Sequence, residues 1–145
     1  MIAISNRQRA QKINQPLLKK IATATLAELK IETAELGIVL VSPKEIAAIN
    51  EKYLNHKGPT DVITFGYENP ELQMHGDIFI CIEEAKRQAK EFKTNWQSEL
   101  VRYVVHGALH LTGHDDLKSA ARAKMKLVEG RLVRKLSRGF ALSKL

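Results

Sequence analysis

A chain of 145 residues has the usual size of one folded domain, so we expect a single domain over residues 1–145. Apolar residues make up 44% of it and charged residues 27%, which excludes the weakly hydrophobic composition of a disordered protein. Lysine and arginine outnumber acidic residues by 23 to 16, a net charge of +7. This balance favours a polyanionic partner, although a basic surface also serves solubility.

No segment approaches the ~18 consecutive apolar residues of a membrane span, and residues 1–12 lack the apolar core of a signal peptide. The single cysteine, Cys81, lies among apolar residues and is predicted to be buried and reduced. We therefore expect a soluble, cytoplasmic protein.

The spacing of apolar residues predicts alternating strands and helices. In chain order these are a strand at 1–5, a helix at 14–30, a strand at 36–41, a helix at 43–54, strands at 61–67 and 77–82, and helices at 83–92, 94–111 and 117–136. Asn14, Ser42 and a Thr94–Gln97 capping box are predicted to begin three of the helices. The fold class is α+β or α/β, with about four strands in a mixed sheet packed with about five helices.

The most informative segment runs from His106 to Asp116 and reads HGALHLTGHDD. Residues four apart lie on one face of a helix, so His106 and His110 can direct two imidazole nitrogens at one metal ion. Gly113 allows the chain to leave the helix and turn back, so that His114, Asp115 or Asp116 can supply a third ligand. Three protein ligands leave a position for water, as in catalytic zinc sites.

The helix that carries these histidines is apolar around much of its circumference, and we expect it to be a central, rigid element. Glu99 and Tyr103 fall on the same stripe as the two histidines, which predicts that this stripe lines a cleft. A bare histidine pair also occurs in helices that bind no metal. The glycine and the His-Asp-Asp cluster that follow favour the metal site.

These residues closely match the pattern H-G-x-L-H-L-x-G-[aromatic or His]-D-H of the YbeY family of bacterial ribosomal RNA maturation factors. The chain resembles that family in two further elements. Residues 59–65, PTDVITF, are similar to P-T-[DN]-V-[LI]-[ST]-F, and residues 76–80, GDIFI, are similar to G-D-[IL]-x-[IL]. The three elements occur in the family's order and with fitting intervals.

The resemblance implies a small mixed sheet with surrounding helices and a zincin-like metal helix. It also implies metal-dependent, single-strand-specific endoribonuclease activity in ribosomal RNA maturation and small-subunit quality control. The implied cofactor is one divalent ion per chain, most simply zinc. The implied partners are ribosomal RNA and the small ribosomal subunit with its assembly factors, with no membrane.

This sequence departs from the family pattern at two positions. Asp116 stands where the family has its third histidine; aspartate is a competent zinc ligand, so Asp116 is assigned as the third ligand, with His114 as the alternative. An anionic third ligand should leave the bound water less acidic. Leu54 stands where the family commonly has an arginine, so the nearby His56 and Lys57 are the candidate substrate-binding residues.

Two other functions remain as alternatives. A metal-stabilised ribosome-assembly factor would bind ribosomal RNA or protein without cleaving, and the missing arginine is compatible with that function. A metallopeptidase of the H-E-x-x-H type needs a glutamate after the first histidine, where this chain has Gly107, although Glu99 could in principle substitute.

Overall fold

The computed structural model describes residues 1–114 and 117–145 of the chain. In chain order its elements are β1 (Ile2–Asn6), α1 (Gln15–Glu28), β2 (Ala34–Val41), α2 (Pro43–Leu54), β3 (Val62–Gly66), β4 (Met74–Cys81), α3 (Ile82–Glu91), α4 (Trp96–Leu111) and α5 (Ser119–Gly139). A short 3-10 turn follows at Leu142–Lys144. The α+β class with four strands and five helices is confirmed in the described residues.

The four strands form one mixed sheet in the order β1-β2-β4-β3. β1 pairs with β2 and β2 pairs with β4, both in parallel, whereas β3 pairs antiparallel with β4. β3 therefore occupies one edge of the sheet. Because successive side chains of a strand point to opposite faces, Val62 packs towards α4 while Ile63 and Phe65 pack towards α2.

The larger hydrophobic core lies between the sheet and helices α1, α4 and α5, and α4 contacts β3, β4, α1, α3 and α5. The prediction that α4 is a central element is confirmed. Gly107 explains how closely it packs: a Cβ atom added there would lie 2.6 Å from Cδ1 of Ile78 on β4. A smaller core beneath α2 includes Ile46, Ile63 and the buried Cys81, whose pKa burial raises.

The ends of several elements differ from those predicted. Asn95, rather than Thr94, caps α4: its side chain accepts a hydrogen bond from Ser98 N at 2.8 Å, while Thr94 donates to Glu99. β4 begins at Met74, three residues earlier than expected, because it pairs with β2 over its whole length. The residues after α5 pack against the rest of the domain, since Leu145 is buried and its carbonyl oxygen accepts a hydrogen bond from Asn14 N.

Gly113 has a φ of +97°, and α4 ends at Leu111, two residues before it, as predicted. Asn14 and Ser42 cap α1 and α2 through their side-chain oxygens, also as predicted. Within the residues that the structure describes, no helix is both long and apolar enough to cross a membrane.

Candidate metal centre and cleft

The last two turns of α4 bring His106 and His110 together. Their Nε2 atoms lie 3.1 Å apart, and their ring centroids lie 4.6 Å apart at an interplanar angle of 76°. Both side chains are partly exposed, and both line the same cavity. The predicted convergence of the two imidazoles is therefore present in the structure.

Glu129 of α5 orients the first of these rings. One of its carboxylate oxygens, Oε1, lies 3.0 Å from Nδ1 of His106, and its side chain is only 11% exposed. A carboxylate at Nδ1 favours the tautomer that carries its proton there, so that the nitrogen facing His110 is the one with a lone pair for a metal. Glu129 could not be predicted from the sequence, because its contact with His106 depends on the packing of α5 on α4.

Arg102 completes this group. It lies one helical turn before His106, and its Nη1 atom is 3.4 Å from Oε2 of Glu129. Its side chain is 41% exposed, which makes it a cation beside the histidine pair that solvent can reach. The four-residue spacing of Arg102, His106 and His110 was visible in the sequence and could have identified it.

The geometry of the pair fits a tetrahedral zinc ion. With Zn–N distances of about 2.0–2.1 Å, two nitrogens of a tetrahedral site lie about 3.3 Å apart. The observed 3.1 Å between the Nε2 atoms is close to this separation. The Glu129–His106 contact is, in addition, the carboxylate–histidine arrangement that commonly supports a zinc ligand.

The predicted third ligand, Asp116, lies outside the described residues, as does Asp115. Among residues 1–114 and 117–145, no group of three histidine, cysteine, aspartate or glutamate side chains is arranged to hold a metal ion. This range includes His114, the alternative ligand. The third ligand stays a prediction.

The histidine pair lies in a cleft of about 660 Å³ between α4 and the edge strand β3. Among the described residues, Asp61 and Glu68 contribute carboxylates to the cleft lining, and Thr64 and Gln73 supply further polar groups. Leu54, at the family's arginine position, also lines it. No lysine or arginine belongs to the cleft lining in the part of the chain that the structure describes.

His56 and Lys57, the predicted substrate-binding residues, lie in the loop after α2, and both are exposed. Neither belongs to the cleft lining found among the described residues. Asn50 holds this loop, because its side-chain amide donates to Gly58 O at 3.0 Å. A contact of His56 or Lys57 with substrate stays a prediction.

The prediction that Glu99 and Tyr103 share the cleft with the histidines is wrong. Both are buried, at 9% and 5% exposure, and neither lines the cavity. Glu99 accepts a hydrogen bond from Thr94 at 2.9 Å, and burial raises the pKa of Tyr103. Glu99 lies on the line of the two histidines but about 10 Å before His106 along α4, beyond the cleft, whereas Tyr103 is turned about 60° from His106, on the side away from Arg102.

A third histidine, His75, also lines the cleft, and no role was predicted for it from the sequence. His75 of β4 packs edge-on against Tyr67, with ring centroids 5.2 Å apart. Tyr67 donates a hydrogen bond from its hydroxyl to Oδ2 of Asp77 at 2.7 Å, and this bond raises the pKa of Tyr67 to about 12. Tyr67 is therefore held in one orientation as a neutral phenol.

A mixed sheet with a histidine pair on its central helix, open to a cleft at the sheet edge, places the chain in the class of α+β proteins with a candidate metal centre on a helix. The family model described as "Endoribonuclease YbeY" matches residues 3–137. The chain belongs to the endoribonuclease YbeY family, whose members are hydrolytic nucleases, and the predicted family and enzyme class are confirmed.

Individual relatives agree with this assignment. The chain is 38% identical over 124 residues to the endoribonuclease YbeY of Elusimicrobium minutum, covering 83% of this chain and 87% of that protein. It is 42% identical over 110 residues to the endoribonuclease YbeY of Endomicrobium trichonymphae, covering 76% of this chain and 77% of that protein. The solution structure of TM1509 from Thermotoga maritima is similar, with a TM-score of 0.69, 26% identity, and coverage of 94% of this chain and 89% of that one.

Proposed function

We propose that this protein is a metal-dependent, single-strand-specific endoribonuclease that acts in ribosomal RNA maturation and small-subunit quality control. The observation that carries the proposal is the approach of the two Nε2 atoms to 3.1 Å, supported from behind by the buried Glu129. The family to which the chain belongs gives the reaction class, and the cleft gives the place where an RNA strand can lie.

His106, His110 and Asp116 would hold the ion, which we take to be zinc. A divalent ion bound there would polarise a phosphoryl oxygen and make a water molecule more acidic at neutral pH. Glu129 keeps the His106 ring in position for this role. Arg102, partly exposed beside the pair, can attract the phosphate backbone into the cleft.

Leu54 offers no positive charge to an RNA strand in the cleft. Cations outside the cleft lining would therefore attract the phosphate backbone. The exposed residues Lys118 and Arg122 lie at the start of α5, directly after the metal segment, residues 106–116. The net charge of the chain is +7, and together with these exposed cations it favours ribosomal RNA as the substrate. The partners proposed with it are the small ribosomal subunit and its assembly factors, in the cytoplasm where the subunit is made.

An assembly factor that binds RNA without cleaving it is the second candidate, and Leu54 favours it. Leucine lines the cleft where the family's arginine would offer positive charge. Peptide hydrolysis is disfavoured by geometry. Gly107, at the position of a peptidase's catalytic glutamate, faces Ile78 in the core, and the buried Glu99 lies outside the cleft.

The test is an RNA cleavage assay on purified protein with a labelled single-stranded RNA, with and without chelator, beside His110→Ala and Asp116→Ala. We expect cleavage by the wild type that chelator abolishes and zinc restores, and a loss of about 100-fold or more in both variants. Cleavage that persists in both variants would exclude the proposed site. Metal-dependent RNA binding without any cleavage would assign the protein to the assembly-factor alternative.

A further inference from the structure

A second cavity lies on the opposite face of the sheet from α4, between α2 and strands β3 and β4. We call it the aromatic groove. It has a volume of about 600 Å³. Its apolar surface comes from four aromatic side chains and two aliphatic ones, namely Tyr53, Phe65, Tyr67, Phe79, Ala48 and Ile49. Neither the family comparison nor the metal chemistry uses it.

The aromatic rings of the groove form a connected series. Tyr53 meets Phe65 with ring centroids 5.4 Å apart and an interplanar angle of 74°, and Phe65 meets Phe79 at 5.7 Å and 86°. These edge-to-face contacts fix the orientation of the Tyr53 ring. Tyr53 is nevertheless 59% exposed, so much of a rigidly supported aromatic ring is open to solvent.

Two cations border these rings. Nζ of Lys52 lies 5.2 Å from the centroid of the Tyr53 ring. Arg7, 54% exposed, contributes Nη1 to an ion pair with Glu45 at 3.0 Å. Its guanidinium has five N–H donors, so the pair with Glu45 does not exhaust its capacity to bind an anion. Exposed aromatic rings bordered by lysine and arginine are the combination that binds single-stranded nucleic acids.

The groove and the cleft lie on either side of the same sheet edge and share one lining residue. Tyr67 lines both cavities, and the adjacent residues Tyr53 and Leu54, at the end of α2, line the groove and the cleft respectively. Only the edge strand β3 separates the two. The hydrogen bond to Asp77 and the ring contact with His75 hold Tyr67 at the point where they meet.

We propose that the aromatic groove is a second RNA subsite, in which a base of the strand that leaves the cleft stacks on Tyr53 after the strand has crossed β3 beside Tyr67. The inference rests on the proposed ribonuclease function and adds to it a binding determinant outside the catalytic cleft. RNA is favoured over a protein partner because cations border the rings and because only the edge strand β3 lies between the groove and the cleft.

The test compares the affinities of a short oligouridine, of about 4 nucleotides, and a long one, of about 12. Binding is measured by fluorescence anisotropy in the cleavage-deficient His110→Ala background, with and without Tyr53→Ala. The parent should bind the long RNA at least 10-fold more tightly than the short one. Tyr53→Ala should reduce that advantage by about 5- to 100-fold, the range for loss of one stacked base.

Two matched variants separate stacking from altered folding. Tyr53→Phe keeps the ring and should keep the advantage of the long RNA. Phe92→Ala removes an aromatic side chain that is 63% exposed directly after α3 and outside the groove lining, and should change neither affinity. A 2-aminopurine base placed along the long RNA should be quenched at one position, with the quenching lost in Tyr53→Ala and retained in Tyr53→Phe.

The outcomes separate this inference from the proposed function. If the wild-type protein cleaves the short RNA but the long RNA gains no affinity, the groove is not an RNA subsite. The groove is likewise excluded as an RNA subsite if Tyr53→Ala leaves the gain intact or weakens the binding of both RNAs equally. If the protein neither binds nor cleaves RNA, the proposed function fails, and this inference fails with it.

Discussion

The orientation of the His106 ring depends on a carboxylate from another helix. Oε1 of Glu129 lies 3.0 Å from Nδ1 of His106, and Arg102 contacts the other carboxylate oxygen. A buried carboxylate with two such partners fixes the ring and makes its far nitrogen a better metal ligand. Metal affinity should therefore depend on a residue that does not touch the metal.

Glu129→Gln tests this dependence. The amide can still accept a hydrogen bond from Nδ1, but it has lost the negative charge, so we expect the zinc affinity to fall about 10-fold; Glu129→Ala should lower it about 100-fold. Competition with a chromophoric chelator measures the affinity. The matched control is Glu28→Gln, which removes a surface ion pair with Lys135 and should leave zinc affinity unchanged. Equal zinc affinities for wild type and Glu129→Ala would refute the role.

A second prediction concerns the third ligand. Asp116→Ala should weaken zinc binding strongly, His114→Ala should not, and Asp116→His should restore binding. Because imidazole neutralises less of the ion's charge than carboxylate does, we expect Asp116→His to shift the rising limb of the pH–rate profile to lower pH. Zinc titration and cleavage rates over a pH series measure both effects. Loss of zinc in His114→Ala with retention in Asp116→Ala would exchange the two assignments.

The close packing of α4 on β4 gives a prediction for a whole element. Gly107→Ala places a Cβ atom 2.6–2.9 Å from three carbons of Ile78. We expect a destabilisation of about 1–2 kcal/mol, because the overpacking cost of about 1–3 kcal/mol exceeds the gain in helix propensity of up to about 1 kcal/mol. Urea unfolding provides the measurement. Gly139→Ala, where nothing lies within 4 Å, should be neutral or stabilising.

A second variant, Ile78→Val, tests whether this contact causes the destabilisation, because it removes Cδ1, the carbon closest to the new Cβ atom. The double variant should be less destabilised than the sum of the two single variants. Strictly additive values, or a Gly107→Ala protein as stable as wild type, would show that α4 is free to move away from the sheet.

Local signals predicted most of the elements, and tertiary contacts account for the differences. Asn14, Ser42 and Gly113 act at the ends of helices through their own conformations and nearby hydrogen bonds, so their positions could be read from the sequence. β4 starts earlier than its apolar run because backbone pairing with β2 does not require apolar side chains. The carboxyl-terminal turn is anchored by Asn14, 131 residues away from Leu145, which no local pattern could show.

In the candidate site too, local signals predicted some residues, and contacts between distant segments account for the others. The helical period placed His106 and His110 together correctly. It did not distinguish the side of the stripe with Arg102, which is open to solvent, from the side with Tyr103, which α3 and the core cover. Glu129 and the cleft wall from β3 depend on contacts between distant segments.

For the molecule as a whole, the net charge of +7 predicts RNA binding that weakens with salt. Each phosphate contact should contribute about 0.7 to the slope of log affinity against log salt concentration. Lys118→Gln, beside the metal segment, should lower the slope by about that amount. Arg138→Gln is the control, because Arg138 lies about 30 Å farther along α5. Equal slopes for wild type and Lys118→Gln would exclude the start of α5 from the RNA footprint.

The claim on which the mechanism depends is that one divalent ion is held by the two imidazoles of α4 with one further ligand. The most direct test is the metal content of the purified protein, measured by mass spectrometry for the wild type and for the His106→Ala/His110→Ala double variant. We expect about one zinc per chain in the wild type and almost none in the folded double variant. Equal metal content in the two proteins, or a metal-free wild type that still cleaves RNA in the presence of chelator, would contradict it.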